Sequence, residues 1–260
     1  MKDIALWDKE IPLLNEKYDT PNKMTAYLLE TDKPLPAVIV LPGGGYTGRA
    51  PHEGEPIAQF FNGRGMHSFV AHYRVAPYKM PAPQMDAQRA IKLVRYHAEE
   101  WKVDPDKILI LGFSAGGHLC ASTAVMEDFC KTGDAVDEMS ARPSGAILCY
   151  PVIDMLRDFA HKGSARCLLG HGVTEEDLDF WSLQNRVDET TPPCFLWHTS
   201  DDGAVPVMNS LVFAQKLSEY GIPYEMHIFP KGNHGLGLAA DTKDISKWPA
   251  LCADWIVNNF

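Results

Sequence analysis

The sequence predicts an α/β fold with a mostly parallel central sheet and helices on both of its faces. Short apolar runs alternate with segments of helical periodicity along the chain, which is the pattern of repeated β-α-β units. At one junction the run Ile108–Leu111 leads directly into Gly112-Phe113-Ser114-Ala115-Gly116. A strand followed by G-x-S-x-G and then a helix is typical of a turn that presents a nucleophilic serine. An ordinary tight turn is the alternative interpretation of these five residues.

The predicted strands are short apolar stretches bounded by turn residues. In chain order they are Met24–Leu29, Ala37–Leu41, Ser68–Tyr73, Lys107–Leu111, Gly145–Tyr150, Cys194–Thr199 and Tyr224–Phe229. The fourth strand follows a predicted turn at Asp104-Pro105-Asp106, and Pro151 ends the fifth.

The predicted helices lie between these strands. They are Glu55–Asn62, Met85–Trp101, a helix that starts after Ser114, Val207–Tyr220 and Ile245–Asn258. In Met85–Trp101 the apolar residues Ile91, Val94, Ala98 and Trp101 share one face. Gly221 closes the helix before the last strand.

One stretch, Asp154–Glu189, breaks the alternation. It is rich in histidine, glycine and charge, and it is longer than an ordinary connection. We predict that this insertion, about residues 154–190, is a lid or pocket wall over the carboxyl edge of the sheet. A surface excursion with a single helix at Glu175–Trp181 is the alternative. The chain shows no repeat and no linker, so we expect one domain over residues 1–260.

Composition limits the partners. With 260 residues and 45% hydrophobic content the chain is long enough for one sizeable core. The net charge is −10 and the chain has no Lys/Arg cluster, which argues against nucleic acid and anionic membranes. No secretory signal and no membrane-spanning run are visible, so we expect a cytoplasmic location. The 6 cysteines are scattered without C-x-x-C spacing, so we expect buried free thiols and no metal site.

A serine nucleophile needs a base, an acid and an oxyanion hole. Among the histidines after Ser114, His234 lies in a glycine-rich loop directly after the last strand, where backbone freedom lets it approach the serine. The other downstream histidines occupy strands, the helix after the serine or the insertion: His118, His161, His171, His198 and His227. We therefore predict that His234 is the base.

Two aspartates are candidates for the acid. Asp201 and Asp202 both follow the strand Cys194–Thr199, and the residues alone do not choose between them. For the oxyanion hole one N–H is expected from Ala115, the residue after the nucleophile. The second is expected from the loop Pro42–Tyr46, whose consecutive glycines let N–H groups face a pocket. The chain has neither a Walker A nor a dinucleotide-binding glycine pattern, which disfavours a phosphate role for this loop.

Several motifs together resemble the α/β-hydrolase superfamily. They are LPGGGY (41–46), HEGEPIA (52–58), HYRVAP (72–77), GFSAGGHL (112–119), PPCFLWHTSDDGAVP (192–206) and GNHGLGL (232–238). Within the superfamily the chain is most similar to bacterial acetyl esterases and acetylxylan esterase-like proteins of the BD-FAE-like branch. The resemblance covers nearly the whole chain and implies the α/β-hydrolase fold.

The resemblance also implies residue roles. The D-x-x-V-P pattern favours Asp202 as the acid, and the oxyanion donors would be Gly44 and Gly45 beside Ala115. Relatives often carry a histidine where this chain has Pro42, so the orienting role of that histidine is lost or replaced. Arg74 and Asp86 match positions that brace the scaffold in relatives.

The implied function is a serine carboxylester hydrolase with the triad Ser114, Asp202 and His234 and without a cofactor. Short acyl groups, acetyl above all, on a sugar or oligosaccharide are the expected substrates. Tyr46, Arg49, His52 and Trp181 are the candidate substrate-binding residues, with packing or solvated roles as alternatives. An amide or formamide hydrolase and a non-catalytic ligand-binding homologue are the other functions considered. The sequence does not decide the oligomeric state, and a homo-oligomer is one of the alternatives.

Overall fold

The computed structural model describes residues 1–8 and 10–260. Its strands are β1 (Lys2–Ile4), β2 (Met24–Tyr27), β3 (Leu35–Leu41), β4 (His67–Ala71), β5 (Val103–Phe113), β6 (Gly145–Cys149), β7 (Cys194–Thr199) and β8 (Tyr224–Phe229). Its helices are α1 (Glu55–Asn62), α2 (Ala82–Tyr96), α3 (Ala98–Trp101), α4 (Ala115–Val125), α5 (Lys162–Leu169), α6 (Glu175–Phe180), α7 (Met208–Glu219) and α8 (Trp248–Asn259). Short 3₁₀ helices lie at Pro51–Glu53, Ala135–Glu138, Leu183–Arg186 and Ile245–Lys247.

The strands of the described residues form one 8-stranded sheet in the order β1-β2-β4-β3-β5-β6-β7-β8. The pairs β1/β2 and β2/β4 are antiparallel. All the other neighbouring pairs are parallel. The carboxyl ends of β3, β5, β6, β7 and β8 therefore lie along one edge, where the loops of an α/β sheet assemble a site.

Each face of the sheet is covered by helices. Alternate residues of one strand enter different cores. Ile39 belongs to the core that also contains residues of α2, α4 and α7, whereas Val38 and Val40 belong to the core that contains residues of α1 and α8. This period of two follows from strand geometry. The central strands are apolar on both faces because both faces are buried, as is typical of parallel sheets.

The predicted fold class is confirmed, and most elements lie within a few residues of their predicted bounds. β7 and β8 match the predictions at both ends. The predicted helix Met85–Trp101 is wrong in detail, because the chain breaks at His97 and continues as α3 up to Lys102, which has a left-handed φ of 55°. The predicted helix Ile245–Asn258 begins as a 3₁₀ turn, and α8 itself starts at Trp248 with a proline in its first turn.

The predicted turn at Asp104-Pro105-Asp106 lies inside β5. Leu35 pairs with Val103 and Ala37 with Ile108, so the residues between Val103 and Ile108 form an irregularity in the strand rather than its boundary. Apart from the short 3₁₀ helices, two elements were not predicted. β1 is a short edge strand with little burial, and α5 contains a glycine and a serine that weaken its helical pattern.

The insertion at residues 154–190 contains α5, α6 and the 3₁₀ helix Leu183–Arg186. The alternative of a single helix is therefore wrong. A capping box between Thr174 and Asp177 starts α6, and the His161 ring caps α5. The role of this segment as a lid or pocket wall stays a prediction.

Candidate active site

Ser114 occupies a sharp turn between β5 and α4. Its φ of 53° and ψ of −116° are unusual for a residue with a side chain. A Cβ on Gly112 would lie 2.1 Å from the Gly116 carbonyl oxygen, and a Cβ on Gly116 would lie 2.2 Å from that of Leu41. Both positions therefore require glycine, and the pattern around Ser114 has a steric cause.

Three side chains meet at the carboxyl edge of the sheet. The Nε2 atom of His234 lies 2.8 Å from the Oγ of Ser114, across 120 residues of sequence. The Nδ1 atom of the same ring lies 2.7 Å from Oδ2 of Asp202. A serine, an imidazole and a carboxylate in this order can move the serine proton to the ring and stabilise the resulting imidazolium.

The Asp202 carboxylate is fixed by several donors. Its Oδ1 accepts the backbone N–H groups of Ala204 and Val205, each at 2.9 Å. The buried His198 ring lies 3.5 Å from Oδ2. Burial by itself would raise the pKa of Asp202, but the His198 and His234 side chains and the Val205 N–H outweigh it and hold that pKa well below its usual range. The carboxylate therefore stays ionised.

Asp201 has a different partner. Its Oδ1 accepts the N–H of Gly232 at 2.8 Å, in the loop that carries His234. The hydroxyl of Thr199 donates to the carbonyl of the same glycine at 2.8 Å, and the Ser200 hydroxyl donates to Pro230 at 2.8 Å. The end of β7 thus holds the histidine loop at several points, and it is Asp202 that meets the imidazole.

The loop after β3 packs directly against the serine. A Cβ on Gly43 would lie 3.1 Å from the Ser114 Cβ and 2.7 Å from the Phe113 carbonyl oxygen. Gly44 and Gly45 have φ values of 137° and 62°, which glycine adopts readily. The N–H of Ala115 lies at the first position of α4, where a helix provides no backbone partner. These three residues are the candidate oxyanion donors.

Three hydrogen bonds brace this loop where Pro42 departs from the related pattern. The Tyr73 hydroxyl donates to the Pro42 carbonyl at 2.5 Å. The N–H of Gly43 donates to Oε2 of Glu53 at 2.7 Å, and the N–H of Ala50 donates to the Gly43 carbonyl at 2.8 Å. Side chains from outside the loop therefore orient it.

The candidate substrate-binding residues occupy different environments. His52 is exposed, and its Nε2 lies 2.9 Å from the Gly235 carbonyl oxygen, beside the histidine loop. Arg49 donates to the Tyr73 carbonyl at 2.7 Å and lines two cavities of about 360 and 500 Å³. Their contact with substrate stays a prediction.

Tyr46 and Trp181 are less accessible. Tyr46 is 1% exposed, so its side chain is packed inside the protein. The Trp181 ring stacks on Phe129 at 6.2 Å and lines a cavity of about 280 Å³ beneath α6. Both residues stay predictions as substrate contacts.

His118 connects Tyr46 and Trp181. Its place one turn into the helix after Ser114 indicates a core histidine or one that supports the site, but the sequence did not predict these two partners. Its Nε2 lies 2.9 Å from the Trp181 carbonyl oxygen and its Nδ1 lies 2.9 Å from the Tyr46 hydroxyl. Because Nε2 must donate to the carbonyl, Nδ1 accepts from the phenol. Burial lowers the pKa of His118 to about 4, so the ring is neutral near neutral pH. The His118 ring therefore connects α4 to the loop Pro42–Tyr46, here called the oxyanion loop, and to the insertion.

Glu53 is a second residue that the sequence did not reveal. It lies within a motif of the superfamily, but nothing in the motif separates a buried glutamate from an exposed one. In the structure it is 2% exposed and contacts the oxyanion loop.

The described residues contain neither a candidate metal site nor a helix that could span a membrane. Within residues 1–8 and 10–260, no group of at least 3 His, Cys, Asp or Glu side chains has a geometry that could hold a metal ion. The helices of the described chain are all too short or too polar to cross a bilayer.

Comparison with known proteins identifies the family. The BD-FAE family model matches residues 26–217. The crystal structure of an acetyl ester-xyloside bifunctional hydrolase from Caldicellulosiruptor lactoaceticus superposes with a TM-score of 0.95 at 47% sequence identity, covering 99% of this chain and 96% of that chain.

Two curated relatives extend the comparison. Endo-1,4-beta-xylanase B of Butyrivibrio fibrisolvens is 40% identical over 91% of this chain and 38% of its own length. Acetylxylan esterase of Xylanibacter ruminicola is 32% identical over 86% of this chain and 45% of its own length. The chain thus spans less than half the length of these two relatives.

Proposed function

The chain belongs to the BD-FAE family and has the α/β-hydrolase fold, and from this premise we propose that it is a serine carboxylester hydrolase that removes acetyl groups from sugars or oligosaccharides. The observation that carries the proposal is the hydrogen-bonded series Ser114–His234–Asp202, with 2.8 and 2.7 Å between successive partners. The substrate class rests on the acetyl ester-xyloside hydrolase and the acetylxylan esterase that the chain resembles.

In the acylation step His234 Nε2 accepts the proton of the Ser114 hydroxyl while Oγ attacks the ester carbonyl carbon. The carbonyl oxygen becomes an oxyanion. When the tetrahedral intermediate collapses, the bond from the carbonyl carbon to the sugar oxygen breaks, and the imidazolium returns its proton to that oxygen. The deacetylated sugar leaves and the acetyl group remains on Ser114.

Deacylation follows the same steps, with water in place of the serine hydroxyl. His234 takes a proton from the water, whose oxygen attacks the acyl carbon, and the bond to Ser114 Oγ breaks. The proton returns to Oγ and acetic acid leaves. No electron transfer occurs, and each proton taken by the ring is returned within the same half-reaction.

Asp202 supports both steps through its charge. Its low pKa keeps the carboxylate ionised over the pH range in which imidazole works as a base. It holds the proton of His234 at Nδ1, which leaves Nε2 free to accept from Ser114. It also stabilises the imidazolium that each attack creates.

The oxyanion is stabilised by Ala115 together with Gly44 and Gly45. The N–H of Ala115 opens α4, so the positive end of the helix dipole faces the developing charge. Gly43 is not assigned as a donor, because its N–H already binds Glu53. Donors that are fixed before the reaction need no reorganisation when charge develops.

We expect the sugar to lie between the oxyanion loop, His52 beside the histidine loop, and the insertion. Arg49 and His52 supply polar groups for this region, whereas the buried Tyr46 side chain would support the oxyanion loop from behind. Trp181 stays a predicted substrate contact. Small acetylated oligosaccharides are the substrates that we propose for this region.

The test is acetate release from acetylated xylo-oligosaccharides, alongside hydrolysis of p-nitrophenyl esters from acetate to octanoate. We expect turnover of the sugar esters, a preference for acetate, and no turnover by Ser114→Ala. Higher activity on formamides or amides would replace the ester proposal. Failure of a fluorophosphonate to label Ser114, together with no ester turnover, would favour a ligand-binding homologue.

A further inference from the structure

A buried carboxylate joins the two loops that flank Ser114. Oε2 of Glu53 accepts the N–H of Gly43 at 2.7 Å, and Oε1 accepts the hydroxyl of Tyr150 at 2.6 Å. The same hydroxyl accepts the N–H of Gly237 at 2.9 Å. A continuous series of hydrogen bonds therefore runs from the oxyanion loop to the loop that carries His234.

The contacts of this series explain why a carboxylate can be buried here. Glu53 is 2% exposed, and an ionised carboxylate is expensive to bury unless its oxygens have partners. Both oxygens have a donor within 2.7 Å. Burial and the neighbouring Glu53 raise the pKa of Tyr150 well above its ordinary value, so the phenol keeps its proton and donates it to Glu53.

Two members of the series, Gly43 and Tyr150, touch residues of the triad. Gly43 packs on Ser114, where a Cβ would lie 3.1 Å from the serine Cβ. The Tyr150 ring meets the His234 ring edge to face, with 5.0 Å between their centroids. The indole of Trp248 donates to the Gly237 carbonyl at 3.0 Å and anchors the far end. Ser114, His234 and the loop after β3 are therefore joined by one connected set of contacts.

We propose that Glu53 and Tyr150 are positioning residues that set the distance between the oxyanion loop and the His234 base. The inference rests on the proposed esterase function. Neither side chain is assigned a contact with the substrate, so their effect is expected in the chemical steps rather than in substrate affinity. Displacement of catalytic groups by a fraction of an ångström is enough to slow such steps markedly.

Tyr150→Phe is the sharpest variant. It keeps the ring against His234 but leaves Gly237 N–H and Glu53 Oε1 without the phenol. We expect kcat for p-nitrophenyl acetate to fall about 10- to 100-fold, with KM within about twofold of the wild-type value. The rate of fluorophosphonate labelling of Ser114 should fall in parallel.

Glu53→Gln is the milder variant. Its amide oxygen can still accept from Gly43, but its NH₂ group can only donate to Tyr150, so the phenol loses its acceptor. We expect a loss in kcat of roughly three- to tenfold. The double variant should be no more than about twofold worse than Tyr150→Phe, because both changes interrupt one series of contacts. If Tyr150→Phe does not fold, Glu53→Gln carries the test alone.

Tyr78→Phe is the matched control. It also removes the hydroxyl of a buried tyrosine, one that contacts Asn15 and Thr20 on the N-terminal segment. We expect the kcat of Tyr78→Phe to stay within about twofold of wild type. Thermal unfolding of every variant shows whether a lower rate reflects a loss of folded protein.

A kcat for Tyr150→Phe within twofold of wild type would overturn the inference, as would a rise in KM at unchanged kcat. Losses that multiply in the double variant would also overturn it, because they would mean independent roles. A wild-type protein with neither turnover nor labelling of Ser114 would remove the proposed function and this inference with it. Normal wild-type turnover with unaffected variants removes the inference alone.

Discussion

The carboxylates of Asp201 and Asp202 both hold the loop that carries His234, but they hold different parts of it. Asp201 accepts a backbone N–H from Gly232 at 2.8 Å, whereas Asp202 lies 2.7 Å from the imidazole itself. The exposures differ as well, because Asp201 is exposed and Asp202 is 6% exposed. One aspartate places the loop and its neighbour meets the ring.

Asp202→Asn should therefore test the contact with the imidazole, and Asp201→Asn should test the contact that positions the histidine loop. For Asp202→Asn we expect kcat on p-nitrophenyl acetate to fall roughly 10³- to 10⁴-fold, because the amide favours the wrong imidazole tautomer and carries no charge. Asp201→Asn keeps an oxygen acceptor for Gly232 and should lose less than about tenfold. Steady-state kinetics of both purified variants checks the pair, and equal losses would contradict the assignment.

The oxyanion loop offers a second matched pair, in neighbouring glycines. A Cβ on Gly44 would lie 2.5 Å from the Gly48 carbonyl oxygen at a φ of 137°, whereas a Cβ on Gly45 would meet no atom within 4 Å at a φ of 62°. Gly44→Ala must displace the loop, and we expect a loss of about 3 kcal/mol of transition-state stabilisation, the cost of one misplaced donor.

Gly45→Ala should destabilise the fold by only about 1–2 kcal/mol through its left-handed backbone and keep most of the activity. The comparison uses kcat together with thermal unfolding. A Gly44→Ala protein with wild-type kcat would show that this loop does not stabilise the oxyanion.

His118 predicts a loss of stability in mild acid. Burial lowers its pKa from 6.5 to about 4, so between these values the unfolded chain takes up a proton that the folded chain excludes. The unfolded state then binds more protons, and stability falls as the pH decreases through this window. Between pH 7 and pH 5 the contribution of this group is about 2 kcal/mol.

Urea unfolding at pH 7, 6 and 5 measures the effect. His67, His72 and His161 also have lowered pKa values, mainly from burial, so they add to the slope of the wild type. His118→Gln isolates one residue, and its free energy of unfolding should decrease less on acidification than that of wild type. Equal decreases would contradict the prediction.

The cysteines predict a selective reaction with thiol reagents. All six are free and all but Cys167 are buried. Burial raises the pKa of Cys194 to about 12, and that of Cys130 to about 12, so their thiolate forms are scarce at pH 8. We expect one rapidly reacting thiol in the native protein and six after denaturation. In Cys167→Ser the native count should be zero, and a larger count would reveal opening of the core.

Local sequence predicted Ser114 as the nucleophile and His234 as the base, and their side chains lie 2.8 Å apart in the structure. The serine follows an apolar strand within a pattern whose glycines are required by contacts of about 2 Å, and the histidine follows the last strand in a glycine-rich loop. Both signals lie within a few neighbouring residues. The choice of Asp202 needed the family resemblance, because Asp201 and Asp202 share the same strand end and differ only in which partner each reaches.

Contacts between residues far apart in the chain could not be predicted from the sequence. Glu53 and Tyr150 are 97 residues apart, and Tyr46 and His118 are 72 residues apart. No periodicity or spacing records such pairs, because they arise only when the loops at one edge of the sheet come together. The same holds for β1, whose three residues become a strand only by pairing with β2.

The backbone of Ser114 has a consequence for how the proposed activity would persist over generations. At a φ of 53° and ψ of −116° a serine costs on the order of 1–3 kcal/mol, which glycine would not incur. A mutation to glycine would relieve that backbone cost and remove the proposed nucleophile. Selection for folding alone would not oppose that loss, so retention of the serine would depend on selection for the reaction itself.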